Sequence, residues 1–287
     1  MRKLFRFLWR IITFPFRWIG LVIRESRSFF SEEPEDVPLA DSLQKAVENP
    51  VDILYHLNEL RKHIFRAVGF LVVTTLFSMI FTSRIIDYLA QPIGGISKLV
   101  AIEVTEPLGV YMRVALLSGF LLAFPYICLE LWMFAAPGLH RSSRLFGLAS
   151  IPIAFLFFAG GMAFAYFVML PSALPFLLHI MGMTTIPRPS SYISFVTGIM
   201  FWIGVAFEFP LLIFVLARVG LIKAKLLSDQ WRLAIVLIAI LSAAITPTID
   251  PINMSLVMGP MIGLYFLSIG LAHLAQRGRN KDKIAEE

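Results

Sequence analysis

Six apolar runs separated by short charged stretches constrain this chain more than any other feature. They lie near residues 62–82, 108–136, 145–170, 191–217, 231–246 and 252–272. A helix needs about 20 residues to cross roughly 30 Å of hydrocarbon. Lipid offers the backbone no hydrogen-bonding partner, so such runs must close their own bonds as helices. The composition agrees: 58% hydrophobic residues, a mean hydropathy of +0.79 and only 15% charged residues lie outside the range of a soluble domain. The pattern predicts an all-α integral membrane protein with six transmembrane helices. Pro125 and Pro210 fall inside the long second and fourth runs, where they favour tilt or kinks. The fifth run is short, with Leu233 to Ile245 lying between Arg232 and Thr246. At 1.5 Å per residue it spans only about 20 Å, so it must thin the bilayer or lie within protein.

The basic residues set the expected orientation. Of the 25 Lys and Arg, 21 fall on one side of the predicted membrane, before span one and in alternate loops. The other side holds four: Arg84, Lys98, Arg113 and Arg188. The positive-inside rule then places the N and C termini in the cytoplasm. The net charge of +6 follows this topology and an attraction to anionic lipid, and does not point to nucleic acid. A single cysteine, Cys128, excludes a disulfide within the chain and a multi-cysteine metal site. No phosphate-cradling loop of the Walker or dinucleotide type occurs. His56, His63, His140, His179 and His273 lack metal-ligand spacing. His56 and His63, seven apart on one helix face, read as surface histidines at a membrane interface. No cofactor is expected, and the chain does not read as an enzyme.

Residues 1–30 form a separate element. Lys3, Arg6, Arg10, Thr13, Arg17, Gly20, Arg24 and Arg27 keep a 3-4 spacing among Leu, Phe, Trp and Ile. A helix with that narrow basic stripe is expected to lie in the headgroup layer of anionic lipid, bent at Pro15. A signal peptide is the rival reading, but arginines interrupt every apolar run and no small-residue cleavage site follows. Residues 31–50, with Glu32, Glu33, Glu35 and Asp36, read as an acidic linker. Residues 51–275 carry the six-helix domain, and 276–287 are a cytoplasmic tail.

Few polar residues interrupt the spans. Glu208 lies in Gly204-Val205-Ala206-Phe207-Glu208-Phe209-Pro210, ten residues before Arg218 and so about 15 Å deep. An ionised carboxylate there costs roughly 3 kcal/mol or more, so the group must be neutral, partnered or wetted. Pro210 deprives the Ala206 carbonyl of its helical donor, and the two residues together make a polar notch. The alternative is a neutral carboxyl bonded to a neighbouring helix. Glu130, near the cytoplasmic end of span two, either snorkels or faces a groove shared with Glu59. Arg113 reads as an interfacial anchor. Glu59 stands in the run Glu59-Leu60-Arg61-Lys62-His63 just before span one. It either pairs within the helix with Lys62 or His63, worth a few tenths of a kcal/mol, or receives a guanidinium, whose planar fork matches two carboxylate oxygens.

Several stretches, in order, carry a family likeness. They are His56-Leu57-Asn58-Glu59-Leu60-Arg61; Thr105-Glu106-Pro107-Leu108 followed by Arg113; Glu130-Leu131-Trp132-Met133-Phe134 with Ala136-Pro137-Gly138-Leu139; Gly161 to Phe167; Phe207-Glu208-Phe209-Pro210; and Thr246 to Pro251. Over about residues 52–275 the chain resembles the TatC family, the receptor subunits of the twin-arginine protein translocase. The resemblance implies a cup-shaped bundle in the bacterial cytoplasmic (inner) membrane that binds twin-arginine signal peptides of folded cargo. It also implies small single-span TatA/TatB-type partners, possible self-association and use of the proton-motive force. By resemblance Glu59 and Arg61 belong to the signal-peptide site, with Glu130 beside them. Glu208 is then the intramembrane carboxylate, and Thr246 lies where partner helices dock.

Two positions depart from the family's pattern. Ser143 stands in the first cytoplasmic loop where the family usually has a glutamate. Losing one charge-assisted contact costs roughly 1.5–3 kcal/mol, about 10- to 100-fold in affinity, which predicts weak or altered recognition of the arginine pair. Met254 stands where glutamine is common, leaving Asn253 as the nearest polar substitute for a docking helix. Two other functions compete: a secondary transporter with Glu208 as proton relay, and a non-transporting scaffold with a degenerate signal-peptide site.

Overall fold

The computed structural model describes residues 50–136, 141–178, 187–246 and 251–286. The expected interfacial helix at 1–30 and the acidic linker lie outside these residues, as do positions 247–250 of the turn after Thr246. Helices dominate: α1 (Pro50–Ser78), α2 (Thr82–Leu89), α3 (Glu106–Ala135), α4 (Arg141–Phe164), α5 (Leu170–Leu178), α6 (Pro189–Val219), α7 (Ala224–Asp229), α8 (Trp231–Ile245) and α9 (Pro251–Glu286). A π-helical turn, Ala165–Met169, carries α4 into α5 without a break. Pro125 and Pro210 sit inside α3 and α6, both of which run through them as helix.

Four stretches are long and apolar enough to cross a bilayer: Glu106–Ala135, Gly147–Pro175, Pro189–Val219 and Met254–Arg277. A fifth arises if α1 and α2 count as one span, but they meet at an angle of 77°. The first span therefore differs from the uninterrupted run expected over 62–82. At its end Ile80 and Phe81 donate backbone bonds to Phe77 and Ser78, at 3.2 and 3.0 Å, so the last turn tightens. The carbonyl of Met79 accepts from the Tyr111 hydroxyl on α3, which satisfies an acceptor that the break would orphan. With 15 residues, α8 reaches only about 22 Å and falls short of a span by length.

α3 occupies the middle of the bundle, with α1 on one side and α4 and α6 on the other, while α9 packs along α6 and α7. Two crossings depend on glycine. A Cβ on Gly119 of α3 would fall 2.6 Å from the Cα of Thr75 on α1, and one on Gly161 of α4 would fall 2.9 Å from the Cα of Gly204 on α6. Such close approach lets backbones pack where lipid gives no hydrophobic drive for helices to associate. Phe120, Phe124, Phe158 and Phe201 fill the space beside the second crossing, with Phe124 and Phe158 stacked at 4.4 Å. The outward face of α1 exposes Phe65, Val68, Val72 and Leu76, as an acyl-chain environment requires. α8 similarly exposes Leu233, Val236, Leu237, Ile240 and Leu241.

Tyrosines secure α2 beyond the bend. Tyr166 donates to the Tyr88 carbonyl and Tyr192 to the Leu89 carbonyl, each at 2.7 Å. Nearby, Glu106 at the start of α3 is buried and accepts from Arg188 Nε at 2.8 Å, Ser190 Oγ at 2.8 Å and the Ile102 amide at 3.0 Å. Arg188 also reaches Glu103 at 3.2 Å. The bonds to Glu106, and then to Glu103, hold the Arg188 pKa above its ordinary value. This staple ties the loop before α3 to the loop before α6.

Candidate functional site

Between the middle of α1 and the last turns of α3, a groove of about 200 Å³ opens. Its apolar lining includes Leu60, Ile64, Ile127, Leu131 and Phe134. Two polar side chains, His63 and Glu130, also line it. Glu130 is only 1% exposed, so it faces the groove and does not snorkel. His63 Nδ1 lies 2.6 Å from Glu130 Oε2, and the Tyr126 hydroxyl, one helical turn earlier on α3, donates to Oε1. Burying a carboxylate is tolerable only with such partners. His63 keeps 18% of its side chain exposed and meets the Phe134 ring edge-on at 6.2 Å. The expectation of a surface histidine fails here because the Glu130 carboxylate draws the imidazole inward.

Glu59 lies one turn before His63 on the same face of α1 and is half-buried. Among the described residues its carboxylate makes no ion pair, and the intrahelical partnership with His63 is pre-empted by Glu130. Arg61 is exposed, its guanidinium 5.5 Å from the Phe65 ring centre. Ser143 falls in the first turn of α4, and its side chain lies outside the described residues. The structure therefore brings His63 and Glu130 together, with Glu59 one turn before His63 on α1.

Glu208 lies elsewhere, inside α6 one turn after Gly204 and so on the face that crosses α4. It is half-buried, and its Oε1 is buried without a hydrogen-bond partner. Pro210 is buried two residues on. This oxygen lies two residues before Pro210, whose ring lacks the N–H that would reach the Ala206 carbonyl. Arg113 is exposed and donates to Ser194 on α6, so it bridges two helices. Thr246 is buried, and its hydroxyl is spent on the Ser242 carbonyl at 2.7 Å. Met254 is half-buried on α9, and the Asn253 side chain lies outside the described residues.

Tyr126 and the Glu106–Arg188 staple were not singled out from sequence, and His63 was read only as a surface histidine or an intrahelical partner of Glu59. A tyrosine four residues before a glutamate on one helix was a readable cue for the Tyr126–Glu130 bond. The His63–Glu130 contact spans 67 residues and has no local signature.

These features define a polytopic, all-helical membrane protein whose carboxylates are held at the head of one helix groove and in the middle of another helix. Residues 55–260 match the family model for the Sec-independent protein translocase protein (TatC). The chain is 33% identical over 249 residues to a TatC protein of Koribacter versatilis, covering 83% of this chain and 91% of that one. It is 35% identical over 228 residues to the TatC of Deinococcus radiodurans, covering 76% and 84%. A crystal structure of the twin arginine translocase receptor TatC superposes with a TM-score of 0.68 at 30% identity, over 77% of this chain and 99% of that one. The chain belongs to the TatC family and is a protein-transport component, not an enzyme.

Proposed function

We propose that this chain is the receptor of a twin-arginine translocase in a bacterial cytoplasmic membrane, crossing the bilayer six times with both termini in the cytoplasm. The observation that carries the reading is family membership over residues 55–260. Glu130 in the α1–α3 groove, with Glu59 one helical turn before the groove-lining His63 on α1, supports it chemically. A carboxylate suits a guanidinium, and the apolar groove lining suits the hydrophobic residues that accompany it. Glu59 and Arg61 form the outer rim of the signal-peptide site, Glu130 its floor and Ser143 its weakened side. Single-span TatA/TatB-type subunits dock along α8 and α9, near Thr246, Asn253 and Met254. Residues 1–30 hold the cytoplasmic face to anionic lipid. A crossing by α8 requires local bilayer thinning, because its helix is short.

The test is binding of a twin-arginine signal peptide to the full chain in nanodiscs, beside its twin-lysine counterpart and a Glu59→Ala variant. Preference for arginine that disappears in Glu59→Ala supports the receptor site. Equal, weak binding of both peptides overturns it in favour of a scaffold that binds only partner subunits.

A further inference from the structure

We infer that His63 is an internal stand-in for the ligand's guanidinium, occupying Glu130 until an incoming arginine displaces it. The inference rests on the receptor reading above and adds a competitor to that site.

The geometry has three parts. First, Glu130 lines the groove yet is only 1% exposed, with His63 bonded to it at 2.6 Å and lining the same groove. A ligand in the groove therefore reaches the carboxylate by moving the imidazole. Second, the carboxylate's two oxygens are held from different sides. Tyr126, from α3 itself, binds Oε1, and His63, from the facing helix, binds Oε2. Departure of His63 leaves Glu130 anchored by Tyr126 with Oε2 and spare lone pairs presented to the groove. Third, His63 is already 18% exposed, and its aromatic neighbour Phe134 meets it only by an edge, so a short rotation releases it to water.

The exchange favours arginine. An imidazole offers Oε2 one donor, whereas a guanidinium offers a fork that takes both oxygens at once. A lysine ammonium has no fork and gains less from displacing His63. The surrounding Leu60, Ile64, Leu131 and Phe134 accept apolar residues next to that arginine. His63 thus sets a threshold that a weakly basic segment does not cross, at a receptor where Ser143 supplies no loop carboxylate.

The experiment titrates twin-arginine and twin-lysine signal peptides against the full chain in nanodiscs, as wild type, His63→Ala, His63→Gln, and His63→Ala with Glu130→Gln. Removing the competitor is expected to tighten twin-arginine binding by roughly five- to tenfold, corresponding to one lost hydrogen bond. The gain should be smaller for twin-lysine and absent when Glu130→Gln is added. A purely structural histidine gives the opposite sign, with weaker binding in His63→Ala. His63→Gln fills the site if the alanine variant does not fold, and it should show an intermediate gain. Unchanged or weaker twin-arginine binding in folded variants overturns the exchange while leaving the receptor reading intact. No binding by wild type or any variant overturns both. Binding by His63→Ala alone supports the exchange most directly.

Discussion

Both oxygens of Glu130 are engaged, one by Tyr126 and the other by His63. Tyr126→Phe removes a single bond and should lower stability by about 1 kcal/mol in thermal unfolding of the detergent-solubilised protein. Glu130→Ala strands both partners and should cost more, roughly 1–3 kcal/mol, measured in the same way. At Ser143 the expected direction is reversed. Ser143→Glu should raise twin-arginine peptide affinity about 10- to 100-fold in a binding titration, and no change would show that the loop position contributes nothing. Residue identities alone exposed Glu59, Glu130 and Glu208 as anomalies, because carboxylates in apolar surroundings demand explanation. They did not expose His63, since a histidine in a basic run looks like solvated surface until the helix that supplies its partner is in place.

Helices were legible where polar residues bracket apolar ones. The run expected from 108 emerges as a helix from Glu106, and that expected from 191 begins at Pro189, where proline suits the first turn. The bend after Ser78 was hidden because Met79, Ile80 and Phe81 continue the hydrophobic pattern across it. Its main-chain acceptor is satisfied from another helix, by the Tyr111 hydroxyl on α3, which no local pattern announces. The π-helical turn at Ala165–Met169 was masked in the same way by an unbroken apolar stretch. Packing between elements yields a sharper prediction. Gly119→Ala places a methyl group against the Thr75 backbone and should destabilise by about 1–3 kcal/mol in thermal unfolding. Gly69→Ala, with nothing within 4 Å of its added Cβ, should be neutral or stabilise by up to about 1 kcal/mol. At the opposite end, Arg188→Ala removes the staple on Glu106. It should speed hydrogen exchange at the Ile102 amide, which bonds to the same carboxylate.

For the molecule as a whole, the distribution of basic residues makes a topological statement that labelling can check. In a Cys128→Ser background, Lys98→Cys should react with a membrane-impermeant maleimide added outside spheroplasts, and Lys223→Cys only after lysis. The reverse pattern, or equal reactivity, would overturn the orientation. α2 lies at the same end of the bundle as the Glu106–Arg188 staple, and the manner of its attachment bears on how that end can evolve. Tyr166 and Tyr192 grip the main-chain oxygens of residues 88 and 89, a feature that every amino acid possesses. Only Thr82, Ile86 and Leu89 of α2 are buried, while Ser83, Arg84 and Asp87 face outward. The docking of this segment thus rests on main-chain oxygens and on Thr82, Ile85, Ile86, Tyr88 and Leu89, and it leaves only Ser83, Arg84 and Asp87 outside the packing. Those three outward positions can drift in sequence without the bundle beneath having to change.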